Sequence, residues 1–148
     1  MMSKDPLLTV LKLVTEAEQQ AALQLKSAQL ECQKRQQQLA SLNQYRLDYM
    51  QQLKNKLGQD ISANYYHQFQ RFIRQIDDAI ANQLKTITDA NNIREHRQAH
   101  WLQRQQKRKS VEQLLGKKAQ QANAKAQRLE QKQQDEFVVN QYARRTIR

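Results

Sequence analysis

Glycine and proline are nearly absent from this chain. Its 148 residues include two Gly and one Pro, so few positions favour tight turns. Gln, Lys, Arg, Ala and Leu are good helix formers and dominate the composition, with 28 Gln alone. Long helices with few connections are therefore expected. So polar a composition also suggests disorder, but the regular apolar spacing described below argues against disorder over most of the length.

Other absences limit the cellular setting and the chemistry. Cys32 is the only cysteine, which excludes an intrachain disulfide and favours a reducing compartment. The first residues lack the apolar run of a signal peptide, and no apolar run reaches the roughly 18 residues that span a bilayer. Two glycines are too few for a phosphate-binding loop, and His96 and His100 lack a third metal ligand. We expect a cytoplasmic protein that is not an enzyme and needs no cofactor or metal.

Apolar residues in the first third of the chain step by four and three. Eleven of the fifteen positions in this series are apolar, which predicts a sustained coiled-coil seam that buries Cys32. Ser3 or Asp5 can cap this helix, and Pro6 suits its first turn. The predicted seam consists of Leu7, Leu11, Val14, Glu18, Ala21, Leu25, Ala28, Cys32, Arg35, Leu39, Leu42, Arg46, Tyr49, Leu53 and Lys56.

One strong stop follows this helix. Lys54 and Lys56 form a basic last turn before Gly58, and Asp60, Ser62 and Asn64 can cap a second helix. The short connection predicts that the second helix runs antiparallel to the first. The predicted fold is therefore all-α: an elongated antiparallel two-helix coiled coil with a short helical segment at the turn. The predicted single domain covers 1–148, with a first helix at about 5–57, a turn at about 58–64, a second helical region at about 65–140 and a frayed tail at 141–148.

The second helix carries more apolar surface than one seam can cover. One predicted face contains Phe69, Ile73, Ile76, Ile80, Leu84 and Ile87, and its neighbour contains Phe72, Ile76, Ala79 and Gln83. A two-helix seam is expected to cover the first face, so the second face either receives a short helix or stays open for a partner. Beyond Ile87 the predicted seam positions are mostly polar, so we expect a helix with poor packing there: Asn91, Arg94, Gln98, Trp101, Gln105, Arg108 and Glu112. The apolar pattern is predicted to return at Leu115, Ala119, Ala122, Ala126 and Leu129.

The net charge of +11 is concentrated in the second half of the chain. Between Arg94 and Arg128 there are ten basic and two acidic residues. Such a stretch is a solvated helix face, a surface that docks on an acidic protein, or a surface that follows nucleic-acid phosphates. Trp101 is the only aromatic residue there that could stack on a base, which disfavours the nucleic-acid alternative.

Two blocks of residues resemble the flagellar export protein FliJ family. The first block is Gln38-Leu39-x-x-Leu42-x-x-Tyr45-Arg46-x-x-Tyr49-x-x-x-Leu53, and the second is Phe69-x-x-Phe72-Ile73-x-x-Ile76-x-x-Ala79-Ile80-x-x-Gln83. Trp101, the segment Asp135-Glu136-Phe137, the chain length, the high Gln content and the basic second half also fit. The resemblance extends along nearly the whole chain.

The resemblance implies a fold similar to the coiled coil of the rotary-ATPase central stalk. It implies a cytoplasmic component of the flagellar type III export apparatus, associated peripherally with the inner membrane. The implied partners are the hexameric export ATPase FliI, the export gate protein FlhA and export chaperones. The FlhA-binding residues carried over to this sequence are Gln38, Leu42, Tyr45, Tyr49, Phe72, Ile76 and Ala79. The alternatives are a basic coiled coil that binds nucleic acid and the equivalent stalk of a virulence secretion system.

Overall fold

The computed structural model describes residues 5–59 and 61–146, which form two helices. Helix α1 is Pro6–Lys56, with 51 residues, and helix α2 is Ala63–Thr146, with 84 residues. The described residues contain no strand. The predicted all-α antiparallel helix pair is therefore confirmed, and the start and end of α1 lie within one residue of the predicted bounds.

Side chains cap both helix starts. The Oδ1 atom of Asp5 accepts a hydrogen bond from the backbone N–H of Leu7 at 3.0 Å. The Oγ atom of Ser62 accepts one from the backbone N–H of Tyr65 at 3.2 Å. Each acceptor satisfies an amide that has no partner within its own helix. Of the other predicted capping residues, Ser3 and Asp60 lie outside the described residues, and Asn64 lies within α2.

The connection between the helices is simpler than the sequence predicts. Gly58 lies in the turn, as expected, and the described residues 57–59, 61 and 62 contain no separate short helix. Ser62 explains this difference, because its cap allows α2 to begin directly at Ala63. At the other end α2 continues to Thr146, beyond the end predicted at about 140. Fraying of this tail stays a prediction.

The chain divides into two contact units, one with residues 1–17 and 104–148 and the other with residues 18–103. In the unit of residues 18–103, early residues of α1 contact late residues of α2 and the reverse. Arg97 donates a hydrogen bond to Gln24, and Arg46 donates one to Asp77. This order defines the antiparallel arrangement. The buried residues of this unit are Ala21, Ala28, Cys32, Phe69, Ile76 and Ala90.

The predicted seam of α1 is confirmed, since every position in it except Lys56 is buried or partly buried. The predicted face of α2 is confirmed in part. Phe69 and Ile76 are buried and Ile73, Ile80 and Ile87 are partly buried, whereas Leu84 is 50% exposed. The neighbouring row is not open: Phe72, Ala79 and Gln83 are also partly buried, and Phe72 and Gln83 contact α1. The interface therefore draws on both rows.

The other unit contains a shorter interface. Val14 and Val111 are buried there, and the Nζ atom of Lys118 lies 2.8 Å from Oδ2 of Asp5. The predicted seam positions Gln98 and Glu112 are exposed, because the heptad register of α2 shifts and brings Val111 inward. Leu115 is partly buried, but the predicted return of the seam beyond it is wrong. All residues of 119–146, which we call the overhang, are exposed.

The ion pair between Asp5 and Lys118 predicts a pH dependence. The hydrogen bond from Lys118, followed by the one from the amide of Leu7, lowers the pKa of Asp5 below its ordinary value of 3.8. A lowered carboxyl pKa stabilises the fold above pH 3.8, and this contribution is lost as the pH falls through the folded-state pKa. We expect the wild type to melt higher than Asp5→Asn at neutral pH, in thermal scans monitored by circular dichroism. The difference should vanish in strong acid, and a difference that persists there would contradict the assignment.

Candidate binding face

Four aromatic rings form a cluster in the unit of residues 18–103. The ring of Tyr49 stacks on Phe69 with a centroid distance of 4.3 Å and an interplanar angle of 14°. Tyr49 also lies 4.5 Å from Phe72, whose ring meets Tyr45 edge-on at 6.0 Å. Phe69 is 3% exposed and Tyr45 is 50% exposed. The cluster therefore extends from the buried interface to the solvent, and its inner rings hold the outer ring in place.

Ring contacts and a shared groove join five of the seven sequence-predicted FlhA-binding residues: Gln38, Leu42, Tyr45, Tyr49 and Phe72. Tyr45 is exposed, whereas Tyr49 and Phe72 are partly buried. Ile76 is 5% exposed, so it offers little surface to a partner. The name Tyr45 face is used below for the six accessible members: Gln38, Leu42, Tyr45, Tyr49, Phe72 and Ala79.

An open groove of about 670 Å³ lies beside Tyr45. Its lining is mixed, with the apolar side chain of Leu42, the aromatic ring of Tyr45 and several carboxamides. A groove with apolar walls and a few polar groups suits a protein segment that contributes apolar side chains and a few hydrogen bonds. The lining residues are Lys34, Gln37, Gln38, Ser41, Leu42, Tyr45 and Gln83.

Gln83 lines this groove and links the two helices by hydrogen bonds. Its Nε2 atom donates to the backbone oxygen of Arg35 at 2.8 Å and to Oε1 of Gln38 at 3.1 Å. A polar residue within an apolar seam fixes the register of paired helices, because a shifted register leaves its hydrogen bonds unmade. The signal in the sequence is a Gln that continues the heptad spacing of Phe72, Ile76 and Ala79.

The described residues contain no group of three or more potential metal ligands, and none of their helices is long and apolar enough to cross a membrane. In the basic stretch, Arg108 and Lys118 are paired with Glu112 and Asp5. Trp101 is partly buried there, which leaves less of its ring for a nucleic-acid base to stack on.

The fold is a pair of long helices with a cluster of aromatic rings that reaches the surface. The chain belongs to the flagellar FliJ protein family, whose model matches residues 2–146. This membership makes the protein a component of the flagellar export apparatus. Comparison with curated proteins and with solved structures gives no match. The likeness to a rotary-ATPase stalk stays a prediction.

Proposed function

We propose that this protein links the export ATPase FliI to the export gate protein FlhA and that it escorts export chaperones. It acts without catalysis, by binding, in the cytoplasm at the inner membrane. The Tyr45 face is the FlhA-binding surface, and the chain ends bind the ATPase hexamer. The observation that carries the proposal is the exposed ring of Tyr45, held by partly buried Tyr49 and Phe72.

The arrangement of the aromatic rings supports the FlhA assignment. Residues that dominate binding energy in protein interfaces are often aromatic and are held by well-packed neighbours. Tyr45 has this character, because it is half exposed while its edge-on partner Phe72 is anchored against Tyr49. Its ring therefore loses little conformational freedom when a partner covers it.

The overhang supports the ATPase assignment. Its residues 119–146 are helical and exposed, so their surface is open to a partner on every side. Large apolar side chains lie near its end, including Phe137 at 63% and Tyr142 at 71% exposure. A single helix is also narrow, with a diameter of about 10–12 Å including side chains, which suits entry into the central channel of a ring.

Replacing Tyr45 with alanine tests the FlhA assignment. We expect the affinity for purified FlhA to fall by about 2 kcal/mol, roughly 30-fold, while the melting temperature stays nearly constant because the ring is half exposed. Isothermal titration calorimetry measures the affinity, and circular dichroism measures the melting temperature.

Tyr142→Ala is the matched control, because it removes an exposed tyrosine from the overhang and not from the Tyr45 face. Its affinity for FlhA should equal that of the wild type. Equal affinities for the wild type and Tyr45→Ala would show that FlhA does not use this face. If the affinity of Tyr45→Ala falls only in proportion to its unfolded fraction, the loss is due to reduced stability and not to the missing ring.

A further inference from the structure

A row of three lysines runs along α2 in the unit of residues 1–17 and 104–148. Lys118, Lys125 and Lys132 are spaced seven residues apart, so they lie on the same side of the helix. The Nζ atom of Lys118 lies 2.8 Å from Oδ2 of Asp5, the residue that caps α1. Lys125 and Lys132 belong to the overhang, and neither pairs with a carboxylate of a described residue. The row therefore begins with a lysine that is paired at the start of α1 and continues with two that have no such partner.

Apolar side chains lie beside these two lysines. An open groove of about 420 Å³, which we call the basic groove, is lined by Lys125, Ala126, Arg128, Leu129 and Lys132. Leu129 is 59% exposed. Lysine and arginine can line an apolar surface with their methylene stems while their charged ends stay in water. The basic groove therefore combines an accessible leucine with three cationic groups.

The basic groove has the pattern of one half of a coiled-coil seam. Ala122, Ala126 and Leu129 step by four and three, and Lys125 directly precedes Ala126 at the border of this row. In paired helices such border positions face oppositely charged residues of the partner helix. The pair of Lys118 with Asp5 is a contact of this kind within the chain. The same row of lysines therefore predicts carboxylates from a neighbouring helix at the basic groove.

Charge and composition distinguish among the possible occupants. When two copies pair antiparallel about the middle of the groove, Lys125 lies opposite Lys132 of the other copy, so like charges meet. Residues 118–132 contain no aromatic side chain on which a nucleic-acid base could stack. Helices that lie on a membrane bury a broad face of bulky apolar side chains, whereas the described lining of the groove has one, Leu129. An acidic helix with its own apolar row matches both the charges and the leucine.

We propose that the basic groove binds an acidic amphipathic α-helix of another protein. The apolar row of that helix packs on Ala126 and Leu129, and its carboxylates pair with Lys125, Arg128 and Lys132. The proposal assigns the chemistry of this surface, which goes beyond the proposed function. It holds whichever protein supplies the helix, FliI included.

A synthetic peptide tests the chemistry of the groove. The peptide has about three heptads, a helix of roughly 30 Å, with leucine at both seam positions of each heptad and glutamate at the flanking positions. A matched peptide carries lysine in place of every glutamate. Fluorescence anisotropy of the labelled peptides measures their affinity for the full chain. We expect the acidic peptide to bind at least about tenfold more tightly than the lysine peptide, and added salt to reduce the difference because it screens the charges.

Charge reversal locates the binding site. The double variant Lys125→Glu and Lys132→Glu should bind the acidic peptide at least about tenfold more weakly than the wild type, and it should bind the lysine peptide more tightly than the wild type does. Arg144→Glu with Arg145→Glu is the matched control, because it makes the same change in net charge in the last turn of α2. These arginines lie roughly 18 Å or more beyond Lys132 along the helix, farther than the screening length of about 10 Å at 0.1 M salt. The affinity of this control should stay within about threefold of the wild type.

Replacing Leu129 with alanine separates docking in the groove from charge attraction alone. Leu129→Ala keeps the net charge and a high helix propensity, and it should weaken binding of the acidic peptide about fivefold because apolar contact is lost. Circular dichroism should show unchanged helix content for all these variants, since each changed position is exposed.

Several results would overturn the proposal. Equal binding of the acidic and lysine peptides would exclude an acidic partner. Equal effects of the two double variants, or an unchanged affinity of Leu129→Ala, would reduce the binding to attraction by the net charge of +11. Displacement of the acidic peptide by a single-stranded oligonucleotide of about 20 nucleotides, but not by unlabelled acidic peptide, would identify nucleic acid as the occupant. A mass that rises above 17.5 kDa with concentration in the wild type and stays there in Lys125→Glu with Lys132→Glu would identify a second copy.

Discussion

Replacing Phe69 with alanine is expected to lower the free energy of unfolding by about 3–5 kcal/mol, the usual cost of deleting a buried phenylalanine ring. Phe69 is 3% exposed, and its ring stacks on Tyr49 at 4.3 Å. Its removal leaves a cavity between the helices close to the turn, beneath the ring of Tyr49. Urea unfolding followed by circular dichroism measures the loss.

Phe72→Ala is the matched comparison, because it removes the same ring from the edge of the same cluster. Phe72 is partly buried, so we expect a loss of about 1–2 kcal/mol, between the values for a buried and an exposed ring. Sequence reasoning alone places Phe72 on the open row and predicts almost no loss. Equal losses for the two variants would contradict the gradient of burial from Phe69 to Tyr45.

The seam of α1 could be predicted because the first third of the chain has only one convincing apolar row. Positions from Leu7 to Leu53 step by four and three, and few apolar residues elsewhere on that helix compete with them as a continuous row. A unique row fixes which side of a helix faces its partner. The single stop at Gly58 then fixed the antiparallel arrangement, since few other turns were available.

The seam of α2 could not be predicted in the same way. Two rows compete there, one through Ile73 and Ile80 and one through Phe72 and Ala79, and periodicity does not decide between adjacent rows. Hydrophobicity favours the isoleucines. The structure uses both rows, because Phe72 packs on Tyr49 and Gln83 donates to the backbone of Arg35, while Ile73, Ile80 and Ile87 are also partly buried. Such contacts across the interface depend on the three-dimensional pairing, which a single helix pattern does not contain.

The overhang illustrates a second limit of periodicity. Ala119, Ala122, Ala126 and Leu129 continue a heptad pattern, yet all four are exposed. A pattern describes the surface of one helix, and burial also requires a partner of sufficient length. Helix α1 has 51 residues and α2 has 84, so part of α2 has no helix of this chain to pack against. The family resemblance located the residues of the Tyr45 face, and their contact with FlhA stays a prediction.

Deletion of residues 119–146 is expected to abolish stimulation of the FliI ATPase while the affinity for FlhA stays within about twofold of the wild type, since the deletion removes no residue of the Tyr45 face. The residues of the overhang are all exposed, and the Tyr45 face belongs to the other unit. This deletion also keeps the Asp5–Lys118 ion pair and buried Val14, which deletion of residues 1–14 would remove. Steady-state ATP hydrolysis by FliI and calorimetric titration of FlhA measure the two activities.

Two comparisons make the overhang result specific. The double variant Phe137→Ala and Tyr142→Ala retains the helix but removes two exposed rings, so it should weaken ATPase stimulation without altering the melting temperature. Deletion of residues 1–14 should also abolish stimulation if both chain ends enter the ATPase, but with a lower melting temperature because α2 loses its partner there. Full stimulation by the chain without 119–146 would place the ATPase contact elsewhere. Equal loss of ATPase stimulation and FlhA binding would instead indicate that the overhang is needed for folding.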